Sequence, residues 1–221
     1  MYNIPNLLSF SRLAATFLVF VLVLINTPWA FLTATGFFLL ASLTDLLDGY
    51  LARRFHIVST FGVFLDLTAD KIFVSAILIA LVQLGLVPAW IVVIIVAREF
   101  LVTGLRSMAA AKGTVISAGT WGKQKTFITL VSIGGILLAK GLGAGLDAHQ
   151  LSLFPPMLVF NSSTVTVSNI LLLVADVLLL LATLWTIISG ADYTIRALPL
   201  LQRQQETTPS KAETETISGQ R

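Results

Sequence analysis

Four aspartates are the residues most able to do chemistry: Asp45 and Asp48, then Asp66 and Asp70. Asp45 and Asp48 are spaced i, i+3, and Asp66 and Asp70 are spaced i, i+4, so each pair lies on one face of a helix. The polar residues His56, Ser59 and Thr60, after Arg53 and Arg54, fit a short connection between two such helices. Two antiparallel helices joined there would bring both carboxylate faces together. Four converging carboxylates repel one another unless cations sit among them, and oxygen-only ligands suit hard divalent ions such as Mg²⁺ or Mn²⁺. Ions held in this way commonly hold phosphate oxygens as well. Gly49 lies about one helical turn from Asp45, and Gly62 about one turn before Asp66. Both remove bulk beside the acids, so a ligand or a backbone can come close. Arg53 can donate to a phosphate.

The elements that must position these acids are read from hydropathy. The 221-residue chain is 56% hydrophobic and only 11% charged, with a mean hydropathy of +0.91; a soluble domain carries roughly 25% charged residues. This composition predicts an all-α membrane protein: a bundle of six transmembrane helices with a short N-terminal interfacial segment. Helices are expected over about residues 13–26, 29–54, 59–84, 89–111, 118–139 and 168–189, the last reaching as far as Arg196. Each apolar run is long enough to cross roughly 30 Å of hydrocarbon, and backbone satisfaction in lipid favours helices over open sheets. Residues 1–201 are expected to form one transmembrane domain. Residues 202–221, rich in Gln, Thr, Glu and Ser, are expected to form a disordered cytosolic tail. No cleavable signal sequence is expected, because only Arg12 precedes the first apolar run. The absence of cysteine excludes disulfides and thiolate metal sites.

The net charge of +3 is modest and argues for contact with a membrane face rather than with nucleic acid. Arg53, Arg54, Lys112, Lys123, Lys125, Arg196, Arg203 and Lys211 fall at one set of helix ends, and the opposite loops offer only Lys140. The positive-inside rule then puts both termini in the cytosol. It also puts the four aspartates in a cytosol-open cavity within the inner half of the membrane.

A second polar group falls at the same depth. Glu99, Thr103 and Arg106 share one face of the fourth helix, with Arg98 offset by about a quarter turn, and Lys123 and Lys125 open the fifth. Arg beside Lys near lipid is a natural phosphate-binding group. The competing reading for Arg98, Lys123 and Lys125 is that they extend to the headgroups.

The pattern D-x2-D-G-x2-A-R-x8-G-x3-D-x3-D, filled by Asp45, Asp48, Gly49, Ala52, Arg53, Gly62, Asp66 and Asp70, resembles the signature of the CDP-alcohol phosphatidyltransferases. The opening stretch from Asn3 to Arg12, the stretch Ala97-Arg98-Glu99 with Thr103-Gly104-Leu105-Arg106, and Gly122-Lys123-Gln124-Lys125-Thr126 resemble the phosphatidylglycerophosphate synthase branch of that family. Ser9 stands where that branch usually has Thr, and Thr129 where many members have Gln. The resemblance implies transfer of a phosphatidyl group from CDP-diacylglycerol to sn-glycerol 3-phosphate, with release of CMP. It implies two divalent ions, Mg²⁺ or Mn²⁺, on Asp45, Asp48, Asp66 and Asp70, with Asp70 doubling as general base. It implies a CDP pocket shaped by Gly49, Ala52, Arg53 and Gly62, and an acceptor-phosphate site at Arg106, Lys123, Lys125 and Arg98. It further implies a multi-pass protein of the cell membrane, surrounded by membrane lipid, that faces the cytosol and forms a homodimer. Two other readings stay open from the residues: a sister transferase that uses inositol phosphate, serine or phosphatidylglycerol, and a cation transporter, since intramembrane acids often mark ion paths. An inactive scaffold with an intact signature is a third.

Overall fold

The computed structural model describes the backbone of residues 4–55, 60–111, 120–144 and 167–206, and the side chains of residues 11–44, 68–110, 124–144 and 167–195. The described residues form six helices: α1 (Ile4–Ile25), α2 (Pro28–Phe55), α3 (Thr60–Gln83), α4 (Ala89–Ala111), α5 (Thr120–Gly141) and α6 (Val167–Glu206). Among them there is no strand.

The connections explain where the helices stop. α1 ends at Asn26, whose φ of 52° is left-handed, a conformation that Asn tolerates through local side-chain hydrogen bonding; Pro28 then opens α2 with its φ already set for a helix. α3 ends in a reciprocal pair of backbone bonds, Leu86 N–H to Leu81 O at 2.9 Å and Gly85 N–H to Val82 O at 2.9 Å. This arrangement needs a left-handed residue just past the helix, and Gly85 supplies it with φ 70°. α5 closes identically: Gly143 has φ 89° and Ala144 N–H reaches Ala139 O at 2.9 Å.

Two boundaries differ from the expectations. α1 begins at Ile4, so residues 4–12 are its first turns rather than a separate segment; Pro5 fits there, because a first-turn N–H has no intrahelical partner to lose. α6 runs on to Glu206, so Gln202 to Glu206 extend a helix instead of starting a disordered tail. The run Leu-Gln-Arg-Gln-Gln-Glu consists of good helix formers, and apolar content was the wrong guide to it. Residues 207–221 lie outside the described residues.

The helices pack in a closed order, α1–α2–α5–α6–α4–α3 and back to α1. Val19, Phe31, Ile77, Leu78, Ile91, Ile95, Ile133 and Leu137 are buried at its centre. Phe38 of α2 and Phe73 of α3 stack with ring centroids 5.3 Å apart. Small residues bring the helices close: a Cβ on Gly135 of α5 would come within 2.8 Å of the Ala175 Cβ on α6, and one on Gly141 would come within 2.8 Å of Leu32 on α2. Close backbone approach at small residues is how helices associate in lipid, where apolar burial alone gives little net attraction.

The bundle is apolar outside. Phe17, Leu40, Ile79, Val93, Phe127 and Leu184, one on each helix, are exposed. Its polar residues turn inward: Thr35, Ser132, Thr183 and Thr186 are buried and donate to the carbonyl one turn back, as with Thr186 Oγ1 to Ala182 O at 2.6 Å. Water would penalise apolar patches on every face; lipid covers them at no cost. Among the described residues, the segment Val167–Ile195 of α6 is long and apolar enough to cross a membrane, and Ser11–Ile25 and Pro28–Thr44 are shorter apolar stretches.

Candidate active site

Asp45, Asp48, Gly49, Ala52 and Arg53 occupy the last three turns of α2, and Gly62, Asp66 and Asp70 the first three turns of α3. At about 1.5 Å per residue, Asp45 lies ~15 Å from the end of α2, and Asp70 ~15 Å from the start of α3. The two acid pairs therefore sit at matching heights in the bundle. Among these residues only Asp70 lies within the described side chains; it is half-buried. The side chains of Asp45, Asp48, Ala52, Arg53 and Asp66, and that of Lys123 on α5, lie outside them.

Around Asp70 the described side chains form one charged cluster drawn from three helices. Lys71, next to it on α3, lies within electrostatic reach of Asp70 and of Arg106 on α4. Lys125 on α5 lies within reach of Asp70 and Lys71, and of Arg98 on α4. The structure thus links Asp70, Arg98, Arg106 and Lys125 by electrostatic reach, together with Lys71. Lys125 is 3% exposed. It does not extend to the headgroups but turns inward and forms an ion pair with Glu99. The same Glu99 oxygen, Oε1, accepts from Arg98 Nη1 at 3.1 Å.

α6 supplies the remaining wall. Arg98 Nη2 donates to Ser189 Oγ at 2.5 Å. Gly190 leaves room for the Arg98 stem, since a Cβ there would come within 2.8 Å of Arg98 Cγ. Arg106 lies over the ring of Tyr193, with the guanidinium carbon 6.0 Å from the centroid, at the outer limit of a cation–π contact. Two donors here, Arg98 Nε on α4 and the Tyr193 hydroxyl on α6, are buried with no hydrogen-bond partner among the described residues.

Sequence reasoning missed Ser189, Gly190 and Tyr193. The available signal was a polar run, Ser189-Gly-Ala-Asp192-Tyr193-Thr194, that follows the most apolar stretch of α6. It also set Glu99 beside Arg106 on one face, whereas the described ion pairs of Glu99 are to Arg98 and Lys125. The helix periodicity of α4 was read correctly; the approach of α5, which brings Lys125 across, leaves no trace in local sequence.

The apolar-faced bundle thus joins the carboxylates Asp70 and Glu99 to Arg and Lys side chains in its interior. Its class is further defined by comparison with known proteins. Residues 2–188 match the CDP-alcohol phosphatidyltransferase family, and the chain belongs to that family. It is 41% identical over 150 residues to a CDP-diacylglycerol–glycerol-3-phosphate 3-phosphatidyltransferase of Bacillus subtilis, covering 62% of this chain and 78% of that protein. It is 34% identical over 194 residues to the protein of the same name from Rickettsia bellii, covering 86% of this chain and 93% of that one. A probable phosphatidylglycerophosphate synthase of Mycobacterium tuberculosis is 34% identical over 200 residues, covering 89% of this chain and 82% of that protein.

Proposed function

We infer that this chain is a transferase that moves the phosphatidyl group of CDP-diacylglycerol onto sn-glycerol 3-phosphate, giving phosphatidylglycerophosphate and CMP. The observation that carries the reading is the likeness to the Rickettsia bellii transferase along nearly its whole length. The inward-facing cations Arg98 and Lys125 support it, because an acceptor bearing a phosphate needs such partners and a neutral alcohol does not.

In the reaction a glycerol hydroxyl attacks the phosphorus that bears the diacylglycerol; the new P–O bond forms as the bond to the CMP phosphate breaks. The hydroxyl proton passes to Asp70. A carboxylate is a weak base, but it needs to accept the proton only as the new bond forms. Asp45, Asp48, Asp66 and Asp70 would hold two Mg²⁺ or Mn²⁺ ions, an all-oxygen donor set of the kind these ions prefer. When bound, such ions neutralise charge on the diphosphate and on the leaving CMP. Gly49, Ala52, Arg53 and Gly62 shape the pocket for the cytidine diphosphate. Arg106, Lys123, Lys125 and Arg98 hold the acceptor's phosphate. The acyl chains leave sideways through the apolar face of the bundle.

The six helices cross the cell membrane with the site toward the cytosol, as the bias of basic residues requires. Residues 1–201 make up the transferase domain, with a cytosolic tail after them, and the chain works as a homodimer. The test is CMP release by the purified protein in detergent with CDP-diacylglycerol and Mg²⁺ or Mn²⁺. Glycerol 3-phosphate, inositol phosphate, serine and phosphatidylglycerol are offered in parallel. Selective turnover with glycerol 3-phosphate, lost on chelation, is expected. Preference for another acceptor would overturn the assignment of α4 and α5.

A further inference from the structure

Glu99 has no part in the chemistry described above, yet it is the hub of the cation cluster. One of its oxygens takes both the Lys125 ammonium from α5 and Arg98 Nη1 from its own helix. Arg98 is fixed from the other side by Ser189 Oγ at 2.5 Å and by the notch at Gly190. Lys125 forms an ion pair with Glu99; Asp70 also attracts it, while Arg98 and Lys71 both repel it. A buried ammonium that loses a directly paired carboxylate is destabilised, so without Glu99 the Lys125 side chain would shift from its place beside Arg98. Neither cation is consumed by the contact: an ammonium has three N–H donors and a guanidinium five, and one carboxylate oxygen takes one from each. Glu99 itself is 28% exposed and Arg98 15%, so the cluster remains reachable.

We propose that Glu99 is a positioning residue for the acceptor's phosphate: it holds Lys125 beside an Arg98 already fixed by Ser189 and Gly190, at the spacing a phosphate requires before the acceptor arrives. Holding the cations in place beforehand removes an ordering cost that would otherwise weaken binding. The proposal rests on the acceptor reading given above. Removing the charge of Glu99 also makes the site more positive, which by itself would favour an anion. The short-range loss of the buried partner outweighs that longer-range gain, which acts partly through solvent.

The experiment is steady-state CMP release by Glu99→Gln, with the half-saturating concentration of glycerol 3-phosphate in a thermal-shift titration as an independent binding readout. The expected result is an increase of about 10–100-fold in both, the range for losing hydrogen bonds to charged groups, with kcat within about threefold and the KM for CDP-diacylglycerol unchanged. Glu99→Gln combined with Lys125→Met should be no worse than Lys125→Met alone, because Glu99 acts through Lys125. An unchanged or lowered KM for glycerol 3-phosphate, or additive effects in the double variant, would overturn the proposal. If Glu99→Gln does not fold, Glu99→Asp, one methylene shorter, decides: an intermediate rise in that KM supports the role and an unmoved one refutes it. Unmodified protein is assayed first. Its failure to use glycerol 3-phosphate would sink the acceptor reading and this proposal with it, whereas an unmoved KM in the variants would sink this proposal alone.

Discussion

Toward opposite ends of α5 the bundle buries charge in two different ways. Near the start of the helix, Lys125 joins Lys71, Arg98 and Arg106 around two described acids, Asp70 and Glu99. The Tyr193 hydroxyl and Arg98 Nε have no hydrogen-bond partner among the described residues, and Arg106 is exposed. Near the end of the helix, Lys140 faces Asp176 of α6. These two are only 3% and 4% exposed, and α5 and α6 are pressed together between them and the centre by the Gly135–Ala175 contact. The difference teaches how to read buried charge in an apolar bundle. On the proposed function, the Lys140–Asp176 pair is closed and joins α5 to α6, while the cluster at Lys125 is open and receives the acceptor.

Breaking each region should therefore give different symptoms. The largest effect is expected from Asp70→Asn in the open cluster. Loss of a general base costs about 10²–10⁴-fold, and CMP release should fall by at least that much while the purified protein keeps its unfolding temperature. Turnover left unchanged would remove Asp70 from the chemistry. In the closed pair, Asp176→Asn strands a buried ammonium, and a destabilisation of about 3–5 kcal/mol is expected. Activity per folded molecule should stay within about threefold. The double change Asp176→Leu with Lys140→Met removes both charges and should restore most of the stability. A double variant no more stable than the single one, by thermal unfolding in detergent, would mean that this pair has a role beyond joining α5 to α6.

Much of this was legible in the sequence, for reasons that differ by region. Apolar runs bounded by Asn26-Thr27-Pro28 and by Gly85-Leu86-Val87-Pro88 located α2, α3 and α4 to within a residue or so, because turn chemistry and hydropathy agree there. The start of α1 and the end of α6 lie beyond their apolar stretches: α1 opens on Pro5 in its first turn, and α6 continues through Gln and Arg residues with good helix propensity. Asp70, Arg98, Arg106 and Lys125 stood out because charge is scarce in this chain. Ser189, Gly190 and Tyr193 did not, because none is charged, and their value depends on α4 lying against α6. The partnership of Glu99 with Lys125 was illegible for the same reason: periodicity gives a residue's face on its own helix but not which neighbouring helix meets that face.

The central claim is that the inward cations of α4 and α5 recognise the phosphate of the acceptor. The most direct test is the KM for glycerol 3-phosphate, measured at saturating CDP-diacylglycerol, in Lys125→Met against the unmodified protein. A rise of about 10–100-fold is expected, the cost of one charge-assisted hydrogen bond to a phosphate, with the KM for CDP-diacylglycerol unmoved. An unchanged KM for glycerol 3-phosphate, with a raised KM for CDP-diacylglycerol instead, would contradict it and would assign these cations to the nucleotide.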